Sequence, residues 1–90
     1  METTVWTFNL SVPFEEWAAI YDSEDVKKMH AAVGLRSLFR GVSKDDPNKV
    51  CAIHQAPTGV AQQIFEDNKE MIRSAGHIIE STVISAYTNS

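Results

Sequence analysis

LRSLFRGVSKDDPNKVCAIHQ, residues 35–55, decides how this chain folds. Its middle, Lys44-Asp45-Asp46-Pro47-Asn48, is dense in turn formers: Pro47 presets φ and Asn48 tolerates a left-handed conformation. The flanks, Leu35 to Ser43 and Lys49 to Gln55, read as strands, so a hairpin occupies the centre of the chain. A symmetric register across so short a loop brings Leu38 and Arg40 close to Ala52 and His54. A slip of one residue would undo that assignment.

On the N-terminal side, Thr3 to Ser11 alternates, with Trp6, Phe8 and Leu10 pointing one way and Val5, Thr7 and Asn9 the other. This is a half-buried strand. Pro13 suits the first turn of a helix, and Glu15 and Glu16 place negative charge near the positive end of its dipole. Phe14, Trp17, Ala18 and Tyr21 form one apolar stripe, but a straight continuation would bring Asp25 and Lys28 onto it. A second stripe, Val26, Met29 and Val33, is rotated from the first, so two helical pieces are expected with a break near Ser23. Asp22 or Ser23 can cap the second piece, and Gly34 ends it.

On the C-terminal side, Thr58 can cap a helix whose stripe of Ala61, Ile64, Phe65, Ile72 and Ala75 is interrupted by Asn68 and closed by Gly76. Glu80 to Thr88 then alternates as a last strand, with Ile84 and Ala86 on one face and Val83, Ser85 and Tyr87 on the other. The order is β-α-β-β-α-β over residues 1–90, a single domain. With right-handed crossovers this packs as an α+β, ferredoxin-like sandwich: a four-stranded antiparallel sheet, first and third strands central, both helices on one face. The expected core is Trp6, Phe8, Leu10, Phe39 and Ile53 against Phe14, Trp17, Ile64 and Phe65.

The other sheet face would carry Val5, Thr7, Asn9, Leu38, Arg40, Val42, Val50, Ala52, His54, Val83 and Tyr87, too apolar in sum to stay wet. At 90 residues the chain buries only roughly 60 to 65% of the surface its unfolded form exposes, and a partner subunit would extend its core. In element order, early broken helix and patterned sheet, the chain resembles the dimeric α+β barrel superfamily, in which two such sheets stack face to face. Within it the chain is most similar to a small group of uncharacterised bacterial, largely cyanobacterial, domains of about this length. The resemblance implies a homodimer through the open sheet face and no particular reaction.

Composition narrows the partners. Eight Lys and Arg against 12 Asp and Glu give a net charge of -4, the wrong sign for gripping phosphate backbones, so nucleic acid is not expected. The first 17 residues have neither a basic region nor an apolar run of the length a signal peptide or membrane span needs, and no membrane contact is expected. The lone Cys51 excludes an internal disulfide and suits a reducing compartment, which points to the cytoplasm.

Asn9, Arg40, His54 and Tyr87 are the candidate ligand-binding residues, offering amide, guanidinium, imidazole and phenol groups on the open face. The bland alternative is a polar network across a dimer interface. His54 and His77 are the candidate proton-transfer residues. Some superfamily relatives are cofactor-independent monooxygenases acting on aromatic substrates. Others degrade haem with an Asn on the first strand, a Trp, and a His near the end of the second helix. Asn9 and His77 fall in comparable places; the Trp has no counterpart on the second helix, where Phe65 is the nearest large aromatic. No cofactor is expected. His30, His54 and His77 lie in different elements with no short-range spacing, so no metal site is expected either. The leading expectation is a small-molecule-binding or accessory module, the alternatives an oxygenase-like enzyme or a purely structural interaction domain. A pocket of roughly 300 Å³ or more would mark ligand binding.

Overall fold

The computed structural model describes residues 1–88. Its elements are β1 (Glu2–Leu10), α1 (Phe14–Tyr21), α2 (Glu24–Ala32), β2 (Arg36–Val42), β3 (Lys49–Ala56), α3 (Val60–Asp67), α4 (Lys69–Ser74) and β4 (His77–Tyr87). The four strands form one antiparallel sheet in the order β2-β3-β1-β4, with the helices on one side. The first and third strands are central, as the crossover rule predicts.

The break in the first helical segment falls where the two stripes disagree. Ser23 caps α2 by accepting from the Val26 N–H, which satisfies a donor that a helix start leaves free. The second segment breaks too, at Asn68, which the sequence shows only as an interruption of the stripe. The Asn68 side chain donates to the Ile64 carbonyl at 2.8 Å, a local bond that competes with the helical ladder and separates α3 from α4. Thr58 does not cap α3. The chain enters that helix through Gly59 at φ 83°, and the Glu2 carboxylate accepts from the Gly59 N–H instead. Gly76, at φ 103°, makes the turn from α4 into β4.

Pairing across β1 fixes which side of every other strand faces the helices. Thr4, Trp6 and Phe8 lie opposite His54, Ala52 and Val50, and directly opposed residues share a face. The helix side of β3 is therefore Val50, Ala52, His54 and Ala56, all buried. This corrects the sequence expectation in both directions. Ile53 and Phe39 pair with each other on the open face, where Phe39 is 52% exposed, and take no part in the core. Val50, Ala52, His54, Val42 and Arg40 turn to the helix side.

The physical reason is volume. Trp6 and Phe8 from β1, with Trp17 and Phe65 from the helices, take up most of the layer, so the inward aliphatic positions of β3 are the smaller Val50, Ala52 and Ala56. The alternation of Lys49 to Gln55 carries apolar groups on both faces, and the larger Ile53 is not the inner one. The β2–β3 register also departs from symmetry: Ser37 opposes His54 and Phe39 opposes Ile53, leaving Leu38 as an extra residue. Arg40 does lie opposite Ala52, as expected. On β4, Ile84 and Ala86 face the helices and Val83, Ser85 and Tyr87 the open side, also as expected.

The open face remains apolar with altered membership. Phe39, Ile53, Val5 and Ser85 make one row across the sheet, and Gly41, Cys51, Thr7 and Val83 the next. The Phe39 ring folds over Gly41, where an added Cβ would come within 2.7 Å of it.

Candidate functional site

The polar groups expected on one face are divided between two. Asn9 and Tyr87 stand on the open side, but Tyr87 lies across from Thr3, six residues along β1 from Asn9, or about 20 Å. They do not meet. The Asn9 backbone N–H donates to Ser81 Oγ where β4 bulges, and no side-chain hydrogen bond of Asn9 reaches a described residue. Arg40 is on the helix side at the sheet edge. Its guanidinium forks onto both carboxylate oxygens of Asp22, at the break between α1 and α2, and lies 5.5 Å from the Phe14 ring centroid. That bond holds the Asp22 carboxyl below its ordinary range. Arg40 thus ties the helical layer to the edge strand.

His54 leads to the site that the structure does build. Trp6, Phe8, Trp17, Tyr21, Ile64, Phe65 and Ala52 wall a cavity of about 120 Å³ between sheet and helices, and His30, His54 and His77 line it too. This is below the roughly 300 Å³ of an ordinary ligand pocket. It approaches the ~150 Å³ of an apolar cavity that admits one benzene ring. The walls interlock as aromatic pairs: Trp6 meets Phe65 edge-on at 5.2 Å, and Phe8 meets Trp17 at 5.5 Å.

The three histidines come from α2, β3 and β4, and their convergence was not legible in their spacing. His77 stacks on Phe8 at 3.7 Å with Nε2 bonded to Thr82 Oγ1 at 2.6 Å. Tyr21, whose hydroxyl bonds Ser37 Oγ at 2.9 Å, meets His54 Nε2 at 2.5 Å. Nδ1 of His54 has no hydrogen-bond partner; it is the one such buried side-chain polar atom among the described residues. Burial pushes the imidazoles of His54 and His77 down to about 4, with nearby His30 adding to the effect on His54. Burial lowers His30 as well and raises the Tyr21 phenol. All three rings are therefore neutral at pH 7. The site is an uncharged, aromatic chamber with one unmet polar atom.

No three His, Cys, Asp or Glu side chains among the described residues are grouped to hold a metal ion. The haem comparison gains nothing from the geometry: Asn9 and His77 lie on opposite sides of the sheet. In the sequence Tyr21 shows only as the last member of the first apolar stripe. Its place as partner of His54 depends on Ser37 and His54 being paired across β2 and β3.

A known protein family matches residues 1–89. The chain belongs to the domain of unknown function DUF3764. None of the curated proteins matches this DUF3764 chain. Among solved structures it is similar to protein Atu4242 from Agrobacterium tumefaciens, at 13% identity and a TM-score of 0.62, covering 100% of this chain and 94% of that one. It is also similar to a candidate antibiotic biosynthesis monooxygenase from Deinococcus radiodurans, at 12% identity and a TM-score of 0.57, covering 100% and 93%. At such identities the likeness is one of fold. What the chain shares with them is a ferredoxin-like fold, a four-stranded antiparallel sheet with helices on one side. No helix of the described residues is long and apolar enough to cross a membrane.

Proposed function

We propose that this domain is a small-molecule-binding module that holds a compact, mostly apolar molecule in the chamber between sheet and helices. The observation that carries this reading is the aromatic cavity lined in part by His54, whose buried Nδ1 has no hydrogen-bond partner. Leaving such an atom without a partner costs roughly 1–3 kcal/mol, which a ligand with a matching group would recover. Of the residues singled out in the sequence, His54 and His77 line the chamber and Arg40 holds the helical layer over its edge. Asn9 and Tyr87 belong to the open face. That face, with Phe39, Val83 and Tyr87 more than half exposed, supports a homodimer in which a second copy covers it. The free Cys51 suits a cytoplasmic setting.

A cofactor-independent oxygenase is the second reading, supported by the fold of the Deinococcus radiodurans protein and by the Tyr21–His54 pair. An imidazole pushed to about 4 is a weak proton acceptor at neutral pH, which favours binding over acid–base chemistry. Titration of labelled protein with toluene, followed by NMR, tests the binding proposal. Resonances of Trp6, Phe65 and Ala52 should move together at millimolar ligand. An unmoved spectrum there would remove the case for a ligand chamber. Oxygen uptake on addition of an aromatic substrate would instead favour the enzyme.

A further inference from the structure

The chamber accounts for an apolar ligand, but not for the polarity of the group His54 presents to it. Its Nε2 is occupied by Tyr21, and the direction of the Tyr21 bond decides what Nδ1 is. The Tyr21 and Ser37 hydroxyls share one hydrogen bond of 2.9 Å, in which either oxygen can be the donor. The Tyr21 hydroxyl has a single proton: given to Ser37, it leaves Tyr21 accepting from an Nε2–H of His54; given to Nε2, it leaves the hydrogen of His54 on Nδ1. In the first arrangement Nδ1 is a bare lone pair. This assignment also leaves the cheaper kind of orphan, since buried donors without partners are rarer than under-satisfied acceptors.

We propose that His54 Nδ1 is the specificity-determining contact of the chamber, accepting a hydrogen bond from a neutral, single-ring ligand with one O–H or N–H donor, of which phenol is the simplest. The inference rests on the chamber being a ligand site. Carboxylates and other anions are rejected, because the walls offer no cation: Arg40 is committed to Asp22, and the three lining imidazoles are neutral. Nδ1 is fully covered, so one neighbour must yield before a ligand can reach it. The rings nearest His54 are His30 at 5.7 Å, Trp6 at 5.8 Å and Tyr21 at 6.0 Å. Trp6 is locked in the core with its indole N–H bonded to Thr4, and Tyr21 holds Nε2. The His30 imidazole makes no hydrogen bond among the described residues and rides on α2, none of whose residues is buried. His30 is the side chain that swings aside.

The test uses full-length protein with ¹⁵N-labelled histidine, titrated with phenol, toluene and benzoate. Phenol should move the His54 Nδ1 resonance, toluene should bind without moving it, and benzoate should not bind. In His54→Leu the affinity ratio of phenol to toluene should fall about fivefold, the worth of one net hydrogen bond. His30→Ala should tighten phenol by opening the way to Nδ1. If phenol and toluene both bind, Nδ1 stays unmoved and the ratio is unchanged in His54→Leu, the chamber stands and the role given to His54 is overturned. If neither binds, the chamber reading itself fails and takes this one with it. An Nδ1 found protonated in the free protein overturns the proposal outright, and that readout needs no variant to fold.

Discussion

Acidification should unfold this domain early, and His54 sets the size of the effect. The imidazole is neutral in the fold down to about pH 4, whereas in the unfolded chain it takes up a proton near 6.5. Below 6.5 the unfolded state therefore binds more protons, and stability falls as pH falls. The full contribution is present above pH 6.5 and is lost progressively down to pH 4. From those two values the loss from His54 alone is about 2 kcal/mol at pH 5 and about 3 kcal/mol at pH 4. A domain of this size has roughly 5–13 kcal/mol in total, so the loss is a large fraction. At about 4–8 °C per kcal/mol, the melting temperature should drop by about 8–16 °C between pH 7.5 and pH 5 on this account. His77 and His30 act in the same direction. The assay is thermal unfolding by circular dichroism at pH 7.5, 6 and 5, on wild type and His54→Leu. Most carboxylates stay ionised over that range, so they contribute little. The variant should keep a shallower slope from His77 and His30 and lose the part owed to His54. Parallel curves for the two proteins would show that His54 is not buried in its neutral form.

Truncating Trp6 or Phe8 to Ala should cost about 3–5 kcal/mol by urea unfolding, because both are buried at the centre of the aromatic layer; near-normal melting of either would contradict the inward face of β1. Ile53→Ala should cost far less, since Ile53 is on the open face; a loss as large as that of Trp6 would restore it to the core. Val83→Asp should shift a dimer to monomer in light scattering with little loss of monomer stability, as Val83 is 60% exposed within one chain; an unchanged oligomer would move the interface elsewhere. Arg40→Ala should cost at most about 1 kcal/mol, because both partners of its ion pair are partly in water.

The strands, the hairpin, the break at Ser23 and the inward face of β1 were legible because each rests on local signals: alternation, turn chemistry and a stripe that cannot continue. The break at Asn68 was half legible. An interrupted stripe marked the place, but the bond from its side chain to Ile64 is what separates the two helices. The inward face of β3 was not legible, since Lys49 to Gln55 places apolar residues on both sides. Because β3, and β2 paired with it, turn the other parity inward, Arg40 and His54 lie on the helix side while Asn9 and Tyr87 stand on the open side. The true neighbours of His54, Tyr21 and His30, lie 33 and 24 positions away in a helical layer whose placement no local pattern records.

By itself the sequence determined the elements, their order and the α+β architecture, since hydrophobic period and backbone chemistry act over a few residues at a time. Only the tertiary structure decided which side of β3 and β2 faces the helices, because that follows from the register against β1 and from how much volume Trp6, Phe8, Trp17 and Phe65 leave unfilled. The gathering of three histidines and Tyr21 around one small chamber belongs to the same level: it is a product of packing between distant segments, and packing is where burial, neutral imidazoles and an unpaired nitrogen arise together.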